Sequence, residues 1–345
     1  MNGFNLSDIQ DAKLGTTQLS SIYLGSTKLW PTTPIDYSQE YFTIESLEDN
    51  NTLSWKINGN VSAKTIYWST DKTNWISVSS SSSGNTITTL DTGDKIYLKG
   101  SNSAYGGTWG TYTYFVSSGK FNVYGNVMSL INNDDFVGKT TFSANFTLYH
   151  LFHATKIVDA SNLILPATTL KNNCYDSLFT DCTLMTKCPK VLPATTLIYY
   201  CYSGMFARTS IVTPPKIKAT KLAESCCRTM FIGCASLTTA PELPVTTLAT
   251  ECYRGTFNDC TALTTAPELP ATTLVSGCYT NMFKGCTSLN YIKAMFTTTP
   301  SNTYTQDWVN GIAASGTFVK NISATWDVTG INGIPSGWVV QTASS

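Results

Sequence analysis

Eleven cysteines lie between Cys174 and Cys286, and the rest of the 345-residue chain has none. Thiols so concentrated could ligate a metal, crosslink or act as nucleophiles. Structural zinc sites use Cys-x2–4-Cys pairs, and no such pair occurs. The recurrent separation is instead eight residues, as in Cys174/Cys182, Cys226/Cys234, Cys252/Cys260 and Cys278/Cys286. Along a helix that span is about 10–12 Å, beyond the ~7 Å Cα limit for a disulfide. Equivalent cysteines on neighbouring packed helices would stand about 8–10 Å apart, also too far. A nucleophilic cysteine needs a base, and the chain has two histidines, His150 and His153. They stand three residues apart, near no distinctive Asp or Ser motif, and read as surface or edge residues of one helix. The thiols therefore read as small apolar residues buried at tight positions.

Other motifs fail on spacing. Val-Gly-Lys-Thr at 137–140 resembles the end of a phosphate-binding loop, but the position five before Gly138 is Asn133, where a glycine is required. The run from Tyr105 to Gly110, Tyr-Gly-Gly-Thr-Trp-Gly, is a glycine-rich turn between strand-like runs. Carboxylates are sparse and fall in turns or recur by copying, as Glu242 and Glu268 do. Nothing marks a glycosidase pair. No catalytic residue, metal or cofactor is expected.

The cysteines belong to a repeat. Leu170, Leu197, Leu222, Leu248 and Leu274 open successive copies at intervals of 27, 25, 26 and 26 residues. Four residues later come Cys174, Cys201, Cys226, Cys252 and Cys278, and nine after the leucine come Phe179, Phe206, Phe231, Phe257 and Phe283. The residue before that Phe is Leu178, Met205, Met230, Thr256 or Met282. A period of this length indicates a solenoid. Each copy reads as one short helix and one short extended segment. At 100° per residue the leucine, cysteine, methionine, aromatic and Phe positions spread over half a helical cylinder, which suits a helix sandwiched in a stack. Pro-Ala-Thr-Thr or Pro-Val-Thr-Thr would cap the start. Asp181, Gly233, Asp259 and Gly285 would stop it. Segments such as SLTTAPEL supply the strand, kept short by proline. One copy cannot stand alone. Ordering it costs about 1–2 kcal/mol per residue in backbone entropy, and each buried side chain returns about 1.5–3 kcal/mol, so neighbours must share a core. Residues 143–165 read as a degenerate first copy that caps the stack.

Residues 37–124 alternate apolar and polar and are rich in β-branched and aromatic residues. Seven short strands separated by Asn, Asp, Gly and Ser turns suggest an immunoglobulin-like β-sandwich with Trp55 in its core. Exposed aromatics near glycine turns mark binding surfaces, which makes Tyr105, Trp109 and Tyr112 candidates for contact with a sugar ring. Thr238, Thr239, Thr264 and Thr265, on the strand side of the repeats, are candidates for contact with glycan hydroxyls. Near the N-terminus, Leu14-Gly-Thr-Thr-Gln-Leu19 is echoed by Leu24-Gly-Ser-Thr-Lys-Leu29. Each is a strand–turn–strand unit too small for its own core, so Leu14, Leu19, Leu24, Leu29 and Trp30 read as an anchor clamped by other copies or by a partner. Pro31 and Pro34 form a stiff linker.

Charge balance excludes a class of partner. Lys plus Arg and Asp plus Glu are 22 each, and charged residues are 13% of the chain. Nothing steers it toward nucleic acid or an anionic membrane. No apolar run is long enough to span a bilayer. The opening MNGFNLSDIQDAKLG has no basic start or apolar core, so no signal peptide is expected.

The consensus CYxxMFxGCTSLTTAPELPATTL resembles the BspA-type leucine-rich-repeat proteins of gut bacteria and of the phages, including crAss-like phages, that infect them. FNVYGNVMSLI at 121–131, DWVNGIAASGTFVKN at 307–321 and GINGIPSGWVVQ at 330–341 resemble the segments that flank such repeats. LGTTQLSSIYLGSTKLWP resembles the start of many phage tail and fibre proteins. The resemblance implies surface display and host contact, and carries over no catalytic residue. The expected architecture is multidomain β plus α/β solenoid: a β anchor (1–34), an immunoglobulin-like sandwich (35–125), a leucine-rich-repeat solenoid of about five copies (126–290) and a C-terminal cap (291–345). The function it implies is that of a non-enzymatic virion appendage, on head, collar or tail, assembled in the host cytoplasm. Its expected partners are other virion proteins, further copies of itself as a trimer or other multimer, and a host-surface glycan or protein. The alternatives are a bacterial cell-surface adhesin and, more remotely, a glycan-degrading enzyme.

Overall fold

The computed structural model describes residues 35–343, together with the backbone of four short strands between residues 13 and 30. Those strands, β1 (Lys13–Leu14), β2 (Thr17–Gln18), β3 (Ile22–Leu24) and β4 (Thr27–Trp30), form two antiparallel hairpins, β1–β2 and β3–β4. Each hairpin matches one strand–turn–strand unit of the sequence echo. Leu14, Leu24, Leu29 and Trp30 fall on these strands, and Leu19 lies outside the described residues. Met1–Tyr37 and Ser38–Ser345 are separate compact units.

The larger unit begins with two antiparallel sheets. One contains β5 (Phe42–Ser46), β7 (Thr65–Ser69), β8 (Ile76–Ser79), β10 (Lys95–Gly100) and β13 (Phe121–Asn126). The other contains β6 (Asn51–Asn58), β9 (Asn85–Leu90), β11 (Gly106–Thr108) and β12 (Thr111–Ser117). Alternation in β6 buries Asn51, Leu53 and Trp55 and turns Thr52, Ser54 and Lys56 outward, as a half-buried strand requires. The sheets face each other through Phe42 of β5 and Phe115 of β12, whose ring centroids are 6.0 Å apart. Trp55 is fully buried and donates from its indole nitrogen to Lys64 O at 2.7 Å.

The repeats follow as a β-solenoid-like stack of about six turns. Here the sequence expectation is corrected: the segments read as helices are not helical. In the copy from Lys171 to Cys182, amides alternate between two kinds of partner. Cys174, Asp176, Leu178, Thr180 and Cys182 donate to the carbonyl three residues back, at 3.1–3.4 Å. Asn173, Tyr175, Ser177, Phe179 and Asp181 donate across to the next coil, to Tyr199, Cys201, Ser203, Met205 and Ala207, at 2.8–3.1 Å. Every fourth residue has positive φ: Asn173, Ser177 and Asp181 in this copy, Gly277, Asn281 and Gly285 in a later one. The result is a chain of tight turns with a four-residue period, tied to its neighbour by a β-type ladder. Leu170, Cys174, Leu178 and Cys182 therefore point the same way without the drift of a 3.6-residue helix, and all four are buried.

The spacing between coils is corrected with it. Ladder bonds hold chains about 4.8 Å apart, closer than packed helices. Phe152, Phe179, Phe206, Phe231, Phe257 and Phe283 stack face to face at 5.4–5.7 Å with planes within 12°. Equivalent cysteines are thus near neighbours rather than 8–10 Å apart. All eleven are nevertheless free and buried. Several have a specific partner: Cys182, Cys234, Cys260 and Cys286 donate S–H to Phe152, Phe206, Phe231 and Phe257 carbonyls at 2.9–3.1 Å. A thiol fits this position because it is apolar enough for the interior yet carries one weak donor.

The stack is closed at its start by the sheets themselves. β14 (Asn162–Ile164), in the first coil, pairs parallel with β13. Phe115 N donates to Leu151 O at 3.0 Å, and the Phe115 ring stacks on Phe152 at 5.7 Å. Residues 143–165 are therefore a coil covered by β12 rather than a free cap, and one hydrophobic cluster runs from Phe42 to Trp338. The strand side of the coils is sparse, as its prolines dictate: β15 (Val191–Leu192) pairs with β16 (Lys216–Ile217). Past Cys286 the stack continues as parallel β17 (Tyr291–Ala294), β18 (Thr317–Lys320) and β19 (Val339–Thr342). Of the two four-residue helices, α1 (Ser129–Asn132) packs on β10, Ser129 Oγ donating to Leu98 O at 2.8 Å, and α2 (Asn302–Thr305) joins the coils, with Tyr279 N donating to Tyr304 O at 3.0 Å. Among the described residues, no helix is long and apolar enough to cross a membrane.

Candidate functional site

The structure separates the sequence-derived candidates. Tyr105 is fully buried, T-shaped to Trp55 at 5.5 Å, and donates to Leu130 O at 2.6 Å. It presents no face to a ligand and is a core residue. Tyr112 is 8% exposed. Trp109, at the tip of the β11–β12 hairpin, is 54% exposed. The hairpin is held from several sides. Thr108 N donates to Thr111 Oγ1 at 2.9 Å, Asn58 Nδ2 to Gly110 O at 2.8 Å, and Gly110 N to the Tyr149 hydroxyl at 3.3 Å.

Coil residues that the sequence reading did not connect with these aromatics surround them. Trp109 lies nearly perpendicular to Phe146 (6.1 Å, 83°), Tyr149 (6.2 Å, 88°) and Tyr200 (5.0 Å, 84°). Tyr200 in turn meets Tyr199 at 4.5 Å. His150 stacks flat on Tyr112 at 4.4 Å and 14°, and His153 meets His150 at 5.1 Å. The two histidines are therefore partly buried against the hairpin sheet instead of lying on a helix surface. The signal that could have found this is local: Tyr199-Tyr200 stands where other copies have Asn172-Asn173, Glu224-Ser225, Thr250-Glu251 and Ser276-Gly277.

Burial sets the protonation chemistry beneath this surface. Desolvation and the neighbouring His153 push the His150 imidazolium down, to a pKa of about 3. Desolvation lowers His153 as well, against the attraction of Asp181, whose Oδ2 is 3.9 Å from Nδ1. Asp176, at the foot of the cluster, is pushed up to about 7 by burial, with Asn173 Nδ2 and Ser177 Oγ donating to it at 2.9 Å each. Tyr112 rises to about 12, again through desolvation. Asp181 is held below the carboxylate range by the Arg208 guanidinium, with contacts of 2.5 and 2.8 Å. Burial drives the Cys174, Cys182 and Cys286 thiols up to about 12. Among the described residues, no three His, Cys, Asp or Glu side chains converge as metal ligands.

Thr238, Thr239, Thr264 and Thr265 are exposed, on a different segment of the coils. Thr238 and Thr264 occupy equivalent positions one coil apart. Thr238 is engaged with the preceding coil, its amide and hydroxyl both donating to Val212 O at 3.2 and 3.3 Å. Thr239 lines an open groove of about 270 Å³ with Pro214, Pro215, Lys216, Pro241 and Glu242. The aromatic cluster and the threonine rows are thus two distinct surfaces. Compared with family models, with curated proteins and with solved structures, the chain matches none.

Proposed function

We propose that the chain is a non-enzymatic structural and host-contacting appendage protein of a tailed-phage particle. In this reading the two-sheet unit is an immunoglobulin-like sandwich and the coils are leucine-rich repeats of the BspA type. The hairpins between residues 13 and 30 anchor the protein to the particle or to further copies of itself. The observation that carries the reading is where the chain's reactive groups have gone. All eleven thiols are buried free in the stack, so the interior is packing, and contact falls to the outer surface. A rigid stack of similar coils supports binding by avidity of weak contacts rather than one deep pocket.

Immunogold labelling of purified particles with antibody to residues 35–343 tests this. Label on the particles is expected. Label on the envelope of uninfected cells would favour a cell-surface adhesin, and label confined to the cytosol would sink both readings. Particles carrying a chain that lacks residues 1–34 should lose the protein; full occupancy would refute the anchor.

A further inference from the structure

We infer that Trp109, Tyr199 and Tyr200 form a stacking subsite for a pyranose ring of a neutral glycan, where the β11–β12 hairpin meets the coil that opens at Leu197. The inference rests on the reading that this protein contacts a host surface, and it gives that contact a place and a ligand class.

Two independent costs point to the site. The first is exposure: Trp109 leaves 54% and Tyr199 38% of its surface in solvent, in a molecule that buries Trp55, Trp308, Trp326 and Trp338. The second is backbone conformation. A bulky residue with positive φ is an outlier. Among the described residues, the ring-bearing side chains in that region are Phe146, His150 and Tyr200, with φ of 56°, 54° and 54°. All three meet Trp109 or Tyr112. Other copies place Asn173, Ser225, Glu251 or Gly277 where Tyr200 stands, so the four-residue turn does not itself need a tyrosine. Strain gathered around an exposed tryptophan marks a built surface rather than a gap in packing.

The surface is also fixed. Three rings set at 83–88° to Trp109 hold its orientation. Arg228 donates to the Tyr200 hydroxyl at 3.2 Å while its same nitrogen binds Glu251 at 2.7 Å, and Arg254 binds Glu251 from the other side at 2.7 Å. A pre-oriented aromatic face loses little entropy on binding. A pyranose offers a matching face of C–H groups with hydroxyls at its rim, and Asn172 and Glu224 are exposed polar residues at the equivalent position of the two coils on either side of Tyr199. The Arg228 and Arg254 guanidinium charges are already engaged with Glu251, so neither arginine is left uncompensated for an anionic ligand. A neutral sugar needs no such charge.

Affinity electrophoresis of the full chain through gels containing galactan, glucan, mannan or xylan tests the site. Retardation by at least one polysaccharide is expected. Trp109→Ala should weaken that retardation at least about tenfold and Tyr199→Ala severalfold, while Ile322→Ala, an exposed residue of the C-terminal coils, leaves it unchanged and all three variants keep the parent melting temperature. Retardation that survives Trp109→Ala overturns the subsite but leaves glycan contact standing. No retardation on any of the four gels overturns the subsite, and particle labelling then still decides the appendage reading separately.

Discussion

Two buried groups with opposite pH dependence lie close together in the first coils, and their opposition can be measured. His150 N donates to Asp176 O at 3.1 Å, so the two residues stand on adjacent rungs of one ladder. The folded His150 value, about 3, lies below its usual 6.5. Below pH 6.5 the unfolded chain takes up a proton that the folded chain refuses, so this residue's stability falls as pH drops from 6.5 toward 3. The folded Asp176 value, about 7, lies above its usual 3.8. Its contribution is complete below pH 3.8 and is lost as pH rises through 7. Each pH unit between folded and unfolded values corresponds to about 1.4 kcal/mol. Between pH 4 and 6.5 each group therefore moves stability by roughly 3 kcal/mol, in opposite directions, and the two largely offset, leaving the parent protein a shallow rise with pH from His153, which desolvation also lowers. Asp176→Asn removes one arm: stability should then rise with pH by up to about 1.4 kcal/mol per unit. His150→Asn, chosen because Asn tolerates φ of 54°, removes the other: stability should then fall with rising pH. The assay is urea unfolding followed by far-UV circular dichroism at half-unit pH intervals. If both variants keep the parent's profile, the two groups do not titrate as their burial requires and the reasoning fails.

Three further outcomes follow from the packing. Phe257→Asp places an unpaired charge between Phe231 and Phe283, each 5.6–5.7 Å away, and should cost more than about 4 kcal/mol; an unchanged thermal melt would show that the ladder is not buried. A thiol-specific disulfide reagent at pH 8 should leave all eleven cysteines unmodified in the native protein and titrate all of them in denaturant, and fast reaction before unfolding would contradict their burial. Gly125 has φ of 83°, and a Cβ there would collide with the Tyr41 carbonyl, so Gly125→Ala should destabilise the β13–β14 junction by at least about 1–3 kcal/mol in chemical denaturation. An equal midpoint would mean that the backbone relaxes there freely.

The repeat was legible in the sequence because a shared interior requires the same residue types at every turn. Leu, Cys, Met and Phe recur at fixed offsets, and the structure buries them. Their local conformation was misread because spacings of four and eight suit a helix over two turns and a four-residue turn equally well. The discriminating signal lay in the third interval: Leu170 to Cys182 spans twelve residues, over which a helix would rotate that position well off the buried line. A second signal was the recurrence of Asn, Asp and Gly four residues apart at the left-handed positions, as in Gly277, Asn281 and Gly285.

By itself, then, the sequence determined that the chain stacks similar units, that its thiols serve as filling, and that a strand-rich segment precedes the stack. These follow from composition and period, which are properties of single segments. The seven strands expected before the stack are nine, because Gly106–Thr108 and Phe121–Asn126 also pair. Only the tertiary structure decided that Tyr105 is interior and Trp109 is not, and that Tyr112 rests on His150. It also decided that the stack begins on the edge of a sheet. Those facts depend on which residues far apart in the chain come into contact, and a hydrophobic ring has the same local sequence signal whether its neighbours cover it or leave it in water.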